Sequence, residues 1–302
     1  MKQFKVQKRC AGGWRNNLKK YLELLRIKHY VKNILIFMPV FFGGGILQRE
    51  NILAILYSFV PFCLGASVVY IINDICDAEK DRKHPTKCRR PIASGAVKKS
   101  SAVVLLCVII AIAALMSVYA GVSGLYSYYA PLWLLFYIAL NLAYSKGLKN
   151  IPVIDVLILA AGFVIRLYYG SCVTGTEVSS WLYLTVVGGA FYLGMGKRRN
   201  EITRQNDGET REVLKKYTYD FLDKNMHVCV AFTQVCYALW AVQSEHKYLM
   251  WTVPIVMVIF MKYSLDIEQK DSEGNPVDIL LSDPVLLLLA LLYAVIVVIS
   301  IY

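Results

Sequence analysis

The chain has 302 residues, of which 57% are hydrophobic and 18% charged, and its formal net charge is +12. Soluble domains carry about a quarter charged residues. The lower share here, with its long apolar runs, excludes an ordinary soluble enzyme and predicts an all-α, polytopic membrane protein.

In chain order, residues 1–33 are basic and broken by charge, which argues against a cleavable signal. Over 14–33 the helical period puts Trp14, Leu18, Tyr21, Leu22 and Leu25 on one face and Lys19, Lys20 and Arg26 off it. That is the pattern of an interfacial helix leading into a first span. Lys28, Lys32 and Asn33 stand at the junction, where the two lysines either snorkel or contact phosphate. Apolar windows long enough to cross a bilayer follow at about 34–50, 52–75, 101–121, 126–144, 151–170, 180–196, 227–244, 248–265 and 283–302, which predicts nine helices.

Of the 33 Lys and Arg, 30 fall in residues 1–33, the 78–100 loop, Lys146 and Lys149, the 197–225 loop, and Lys262 and Lys270. These are alternate loops. The positive-inside rule therefore places them in the cytoplasm, with the N-terminus inside and Tyr302 outside, and accounts for the net charge without nucleic acid. The two large loops follow the second and sixth spans, which suggests a duplicated architecture with one cytoplasmic mouth. The whole chain, 1–302, reads as a single transmembrane catalytic domain with active-site loops at 76–100 and 197–226.

Asp74, Asp77 and Asp81 are spaced i, i+3, i+7, so a continuing helix presents them on one face with Asn73 at its edge. Pro85 is expected to end that helix about a turn later. Like charges repel at these spacings, and a carboxylate drawn into the membrane costs roughly 2.5–3.5 kcal/mol. A divalent cation offsets both. Magnesium prefers oxygen ligands and is held by one or two carboxylates plus substrate phosphates. Lys87, Arg89 and Arg90 follow, offering point charge and bidentate forks to phosphate. The stretch thus reads as a magnesium–diphosphate cradle, with Asn73, Asp74, Asp77 and Asp81 as metal ligands and the three aspartates as catalytic. The alternative is a solvated loop whose acids pair with Lys80, Arg82 and Lys83.

Tyr144, Lys146 and Lys149 end the fourth span and are placed to close the mouth. Asp155 lies one turn inside the fifth, where an unpaired carboxylate is expensive and marks a polar role. Arg166 is eleven residues on, about 16 Å along a helix, too far to pair with Asp155. Beside Tyr168 and Tyr169 it reads as an outer-interface anchor. Lys197 and Arg198, after Gly194 and Gly196 in the sixth span, either grip phosphate or set topology. The eight cysteines form no CxxC pair and read as small packing residues rather than a disulfide or zinc framework. His29, His84, His227 and His246 read as interfacial or loop residues.

The stretch NDICDAEKD followed by RRPIASG resembles the first aspartate motif, NDxxDxxxD, of the UbiA prenyltransferase superfamily. YSKGLKNIPVIDVLILAAGFVIR resembles that superfamily's YSxxLK…D segment. The likeness runs over nearly the whole chain and implies a UbiA-type helical bundle with a magnesium-bound diphosphate leaving group. Members that prenylate aromatic acceptors carry a second aspartate-rich motif after the sixth helix, where this chain has GMGKRRNEI with Lys197, Arg198 and Arg199. RIKHYVKNILIFMPVFFGG, YDFLDKN and EGNPVDILLSDPVLL resemble instead the branch that makes polyprenyl-phosphate phosphoribose.

That branch transfers phosphoribose from phosphoribosyl pyrophosphate to a lipid phosphate such as decaprenyl phosphate, which implies a plasma-membrane enzyme using Mg2+. The resemblance favours phosphate contact for Lys32. With Lys28, Asn73, Lys87, Arg89, Arg90, Tyr144, Lys146, Lys149, Asp155, Lys197 and Arg198 it makes up the expected substrate-binding set. The nucleophile is an already ionised phosphate oxygen, so no catalytic histidine is sought. Two other classes stay open: a prenyltransferase using a prenyl diphosphate and an aromatic or other lipid acceptor, and a transporter or lipid-binding protein without chemistry. A transporter should carry spans broken by Gly or Pro at matching positions of two halves, and no convincing pair is found.

Overall fold

A computed structural model describes residues 17–83, 87–127, 129–203, 212–268, 279–280 and 282–302. Trp14, His84, Pro85 and Lys270 lie outside them, and with Pro85 the expected end of the acidic helix. Every regular element among the described residues is helical.

The first helix, α1, spans Asn17–Leu25, within the stretch expected to lie at the interface. It buries Leu24 and leaves Leu18 and Leu22 exposed, an apolar outer face suited to the bilayer surface. The helix stops earlier than its periodicity predicts because Arg26 takes a left-handed conformation, φ 55 and ψ 47. The chain then tightens into an 11-residue 3-10 segment, Ile27–Phe37, and continues as α2, Met38–Phe42. Such a long 3-10 run is uncommon. A close approach holds it: a Cβ on Gly170 would lie 1.9 Å from the carbonyl oxygen of Ile36, so only glycine admits this segment against its neighbour.

The remaining long helices are α3 (Arg49–Cys76), α5 (Lys99–Val122), α6 (Ala130–Lys146), α7 (Ile154–Thr174), α8 (Ser180–Thr203), α9 (Tyr219–Gln243), α10 (Val253–Glu268) and α11 (Pro284–Ile301). The short α4 (Ala78–Lys83) follows α3. Six helices among the described residues are long and apolar enough to cross a membrane: α3, α5, α7, α9, α10 with its leading turn from Lys247, and α11. The other three windows coincide with the 3-10 segment and α2, with the 17-residue α6, and with α8, so the count of nine crossings stands as an expectation.

Packing joins sequence neighbours, α3 to α5, α6 to α7, α7 to α8 and α8 to α9. One core gathers Ile36, Phe62, Tyr137, Ile165 and Tyr169 from the first half. A second gathers Val156, Tyr192, Met195, Leu222 and Tyr263 from the later helices. Outward faces stay apolar, as at Leu115, Leu288 and Ile299, which are 70%, 67% and 75% exposed. Burial drives this arrangement within each core, whereas lipid takes the place of water outside it. The chain ends where Tyr302 donates to the Phe41 carbonyl at 2.8 Å. That is roughly 30 Å of helical rise from Arg26 along the 3-10 segment and α2.

Two readings are corrected. Cys88 is disulfide-bonded, so not every cysteine is an unpaired packing residue. Arg166 is 5% exposed and is no interface anchor. Its Nε donates to Asn33 Oδ1 at 2.7 Å, Nη1 to the Gly162 carbonyl at 2.6 Å and Nη2 to the Tyr137 hydroxyl at 3.0 Å. The guanidinium also lies 4.7 Å from the Tyr137 ring centroid, so neutral dipoles and a π face solvate a buried cation.

Candidate active site

At the end of α3 the chain bends without losing helical register. The Asp77 N–H donates to the Asn73 carbonyl at 2.9 Å, and the Asp81 N–H to the Asp77 carbonyl at 2.8 Å. Asp74 and Asp81 are buried, 3% and 4% exposed. A single nitrogen draws them together: Arg90 Nη1 donates to Asp74 Oδ1 at 3.2 Å and to Asp81 Oδ2 at 2.8 Å. Arg26 Nη2 also donates to Asp74 Oδ1, at 2.9 Å, and its guanidinium lies 4.6 Å from the Tyr70 ring centroid. The acids therefore pair with Arg26 and Arg90, rather than with Lys80, Lys83 or Arg82, whose Nε reaches the Ala93 carbonyl.

The expected single acidic face is met in part. Asp77 and Asn73 are half-buried, and no three acidic, His or Cys side chains among the described residues are grouped to hold a metal. The donor set still suits magnesium. Two buried carboxylates stand within reach of one nitrogen atom, Asn73 and Asp77 are oxygen donors next in sequence, and the remaining ligands of such an ion come from water and substrate phosphate. Asn73, Asp74, Asp77 and Asp81 are the residues that would hold it.

Beside the pair opens a cleft of about 850 Å3, walled by α1, the start of the 3-10 segment, Asp74 and the 87–91 turn. Of the expected site residues, Lys28, Asp74, Lys87, Arg89 and Arg90 meet here, joined by Lys19 and Arg26. Six cations against Asp74 and Glu23 make a pocket for a polyanion. Leu22 also lines it, so the cleft reaches the apolar face of α1. Arg26 was missed in the sequence because it was assigned to the polar face of α1. A left-handed turn at a non-glycine residue has no signature there.

A second polar group lies apart from this cleft, and none of its members lines it. Asp155 and Arg198 are fully buried and paired, Nε to Oδ2 at 2.6 Å. Arg198 further donates from Nη1 to Glu201 at 2.6 Å and from Nη2 to the Tyr144 hydroxyl at 2.9 Å. Tyr217 donates to Asp155 Oδ1 at 2.6 Å and accepts from the Val153 N–H at 2.6 Å. Burial pushes the Tyr217 hydroxyl up to about 12, and its bond to Asp155 adds to the shift, so it stays a proton donor. Val153, at φ 68, is a β-branched residue in a conformation such residues avoid.

The network thus pins the ends of α6, α7 and α8 and the turn before α9. It gives Asp155 the polar partner its depth demands. Arg199 is likewise buried, paired with Asp223 and, at 3.5 Å, with Glu268. Lys32, Lys149 and Lys197 are half-buried and Lys146 exposed, all outside the cleft wall.

Residues 36–277 match the UbiA prenyltransferase family. The chain is 33% identical over 294 residues to the decaprenyl-phosphate phosphoribosyltransferase of Corynebacterium glutamicum, covering 93% of this chain and 86% of that protein. It is 31% identical over 280 residues to the decaprenyl-phosphate phosphoribosyltransferase of Mycobacterium tuberculosis, covering 89% and 90%. Its fold is similar to that of a UbiA homolog from Archaeoglobus fulgidus bound to GPP and Mg2+, with a TM-score of 0.67 at 19% identity over 93% of this chain and 99% of that one.

Proposed function

The chain belongs to the UbiA prenyltransferase family, and from that premise we propose that it transfers 5-phosphoribose from phosphoribosyl pyrophosphate to a polyprenyl phosphate of decaprenyl type, with release of pyrophosphate. The observation that carries this reading is the near full-length similarity to decaprenyl-phosphate phosphoribosyltransferases. The cleft supports it with chemistry. Phosphoribosyl pyrophosphate brings a diphosphate and a 5-phosphate, the acceptor brings a third anionic group, and six cations face the space they would share. An acceptor phosphate sits at the depth of the bilayer surface, where Leu22 and Leu18 of α1 expose their side chains.

Asn73, Asp74, Asp77 and Asp81 would hold magnesium, which would supply positive charge to the departing diphosphate. Arg90, Arg89, Lys87 and Arg26 hold the phosphate oxygens by charge-assisted hydrogen bonds. As the bond between the anomeric carbon and the diphosphate oxygen breaks, negative charge grows on that oxygen, and preformed cations stabilise it more than they stabilise the substrate. The ionised acceptor oxygen forms the new bond, so no side chain takes a proton. The reading places the enzyme in the plasma membrane, with this mouth and the N-terminus cytoplasmic and the C-terminus external.

Prenyl transfer is the competing chemistry. In the sequence, Arg198 and Arg199 argued against it, yet both are committed to carboxylates. The distinction therefore rests on the similarity to decaprenyl-phosphate phosphoribosyltransferases. Purified protein supplied with magnesium, phosphoribosyl pyrophosphate and decaprenyl phosphate should yield a decaprenyl-phosphoryl phosphoribose mass and pyrophosphate. No such product, together with turnover of a prenyl diphosphate, would overturn the assignment.

A further inference from the structure

Asp74 and Asp81 are already balanced by charge. Two buried carboxylates meet two guanidiniums, and Asp74 Oδ1 accepts from both Arg26 and Arg90. An oxygen serving two guanidinium donors cannot also bind magnesium at a normal distance without losing at least one of them. Arg90 Nη1, lying between the two carboxylates, stands where a bridging ion would. Magnesium ligation through Asp74 Oδ1 or Asp81 Oδ2 therefore competes with the observed pairing.

The charges decide what replaces what. Bare magnesium would place two further positive charges beside two guanidiniums in a site where the acids are nearly dry, which costs Coulomb energy at low dielectric. A bare diphosphate would meet two carboxylates. When both arrive, magnesium takes the acids and the guanidiniums are released to the phosphate oxygens, so each of these four charged side chains keeps a counter-charge throughout. Little movement is needed. Arg26 and Arg90 already line the cleft, and their side chains are 23% and 29% exposed.

We propose that Arg26 and Arg90 are exchangeable counter-ions of Asp74 and Asp81, so that the metal enters as its diphosphate complex and binds poorly alone. This rests on the reading of the cleft as a diphosphate site, but not on which diphosphate is used. Its signature is a pair of effects with opposite sign. Removing Arg90 should help metal alone, because no cation has to be displaced, and should hurt metal with diphosphate, because a phosphate ligand is gone.

The test is an electron paramagnetic resonance titration of Mn2+ into the purified full chain, with and without inorganic pyrophosphate. Loss of the Mn2+ signal shift in Asp74→Asn identifies this site. Arg90→Ala should bind Mn2+ alone at least about tenfold more tightly than the parent protein, and Mn2+ with pyrophosphate at least about tenfold more weakly, the scale of one charge-assisted contact. Arg26→Ala leaves Arg90 on both acids and should shift both constants the same way by a smaller factor. It decides the matter if Arg90→Ala is lost from the membrane fraction. Unchanged or weakened binding of Mn2+ alone would make the pairs fixed structural bridges and overturn the proposal. Pyrophosphate is the leaving group of both phosphoribosyl and prenyl transfer, so an error in the substrate assignment leaves this outcome untouched.

Discussion

Replacing Arg198 separates a structural cation from a phosphate ligand. Arg198→Ala leaves Asp155 fully buried without its cation, since both side chains are 0% exposed. Tyr217 still donates to Oδ1, and Glu201, 23% exposed, is rehydrated. Breaking a buried pair from one side costs about 3–5 kcal/mol, and the surviving Tyr217 bond places this case toward the lower end. For a chain of this size such a loss lowers the apparent melting temperature by roughly 5–15 °C, which a fluorescence melt in detergent reads directly. The pair Arg198→Met with Asp155→Leu removes both charges and fills similar volume, so it should recover most of the loss. The reasoning fails if Arg198→Ala melts like the parent while KM for one phosphorylated substrate rises tenfold or more. The guanidinium would then be serving substrate rather than Asp155.

Asp77 carries no ion pair among the described residues and is half-buried, so Asp77→Ala should leave the melting temperature within about 1 °C while removing turnover, as should excess EDTA. Full activity in either condition would remove Asp77, or magnesium, from the mechanism. A reporter fused after Tyr302 should be active only on the outer side of the membrane, because 30 of 33 cations occupy alternate loops and Tyr302 packs on the turn after α2. Cytoplasmic activity would show an even number of crossings.

The sequence by itself determined the class of the protein and the position of its acidic motif. Both are local properties. Span length follows from apolar run length, and the proximity of Asp74 to Asp81 follows from helical period with no reference to the rest of the chain. It also placed Lys87, Arg89 and Arg90 near that motif, because the first loop can reach back only so far, whereas Lys28 reaches the cleft only through the fold. Only the tertiary structure decided the partners of the buried charges. Arg26 meets Asp74 across 48 residues, Arg198 meets Asp155 across 43 and Arg166 meets Asn33 across 133. Spacing rules for a single helix do not extend to such pairs. Which faces of α3, α7 and α8 meet is set by packing, down to one glycine against the Ile36 carbonyl. A buried arginine and a snorkelling one share the same sequence signature. Their difference is the free energy of finding polar partners inside the bundle instead of at the membrane surface, and that depends on where the other helices stand.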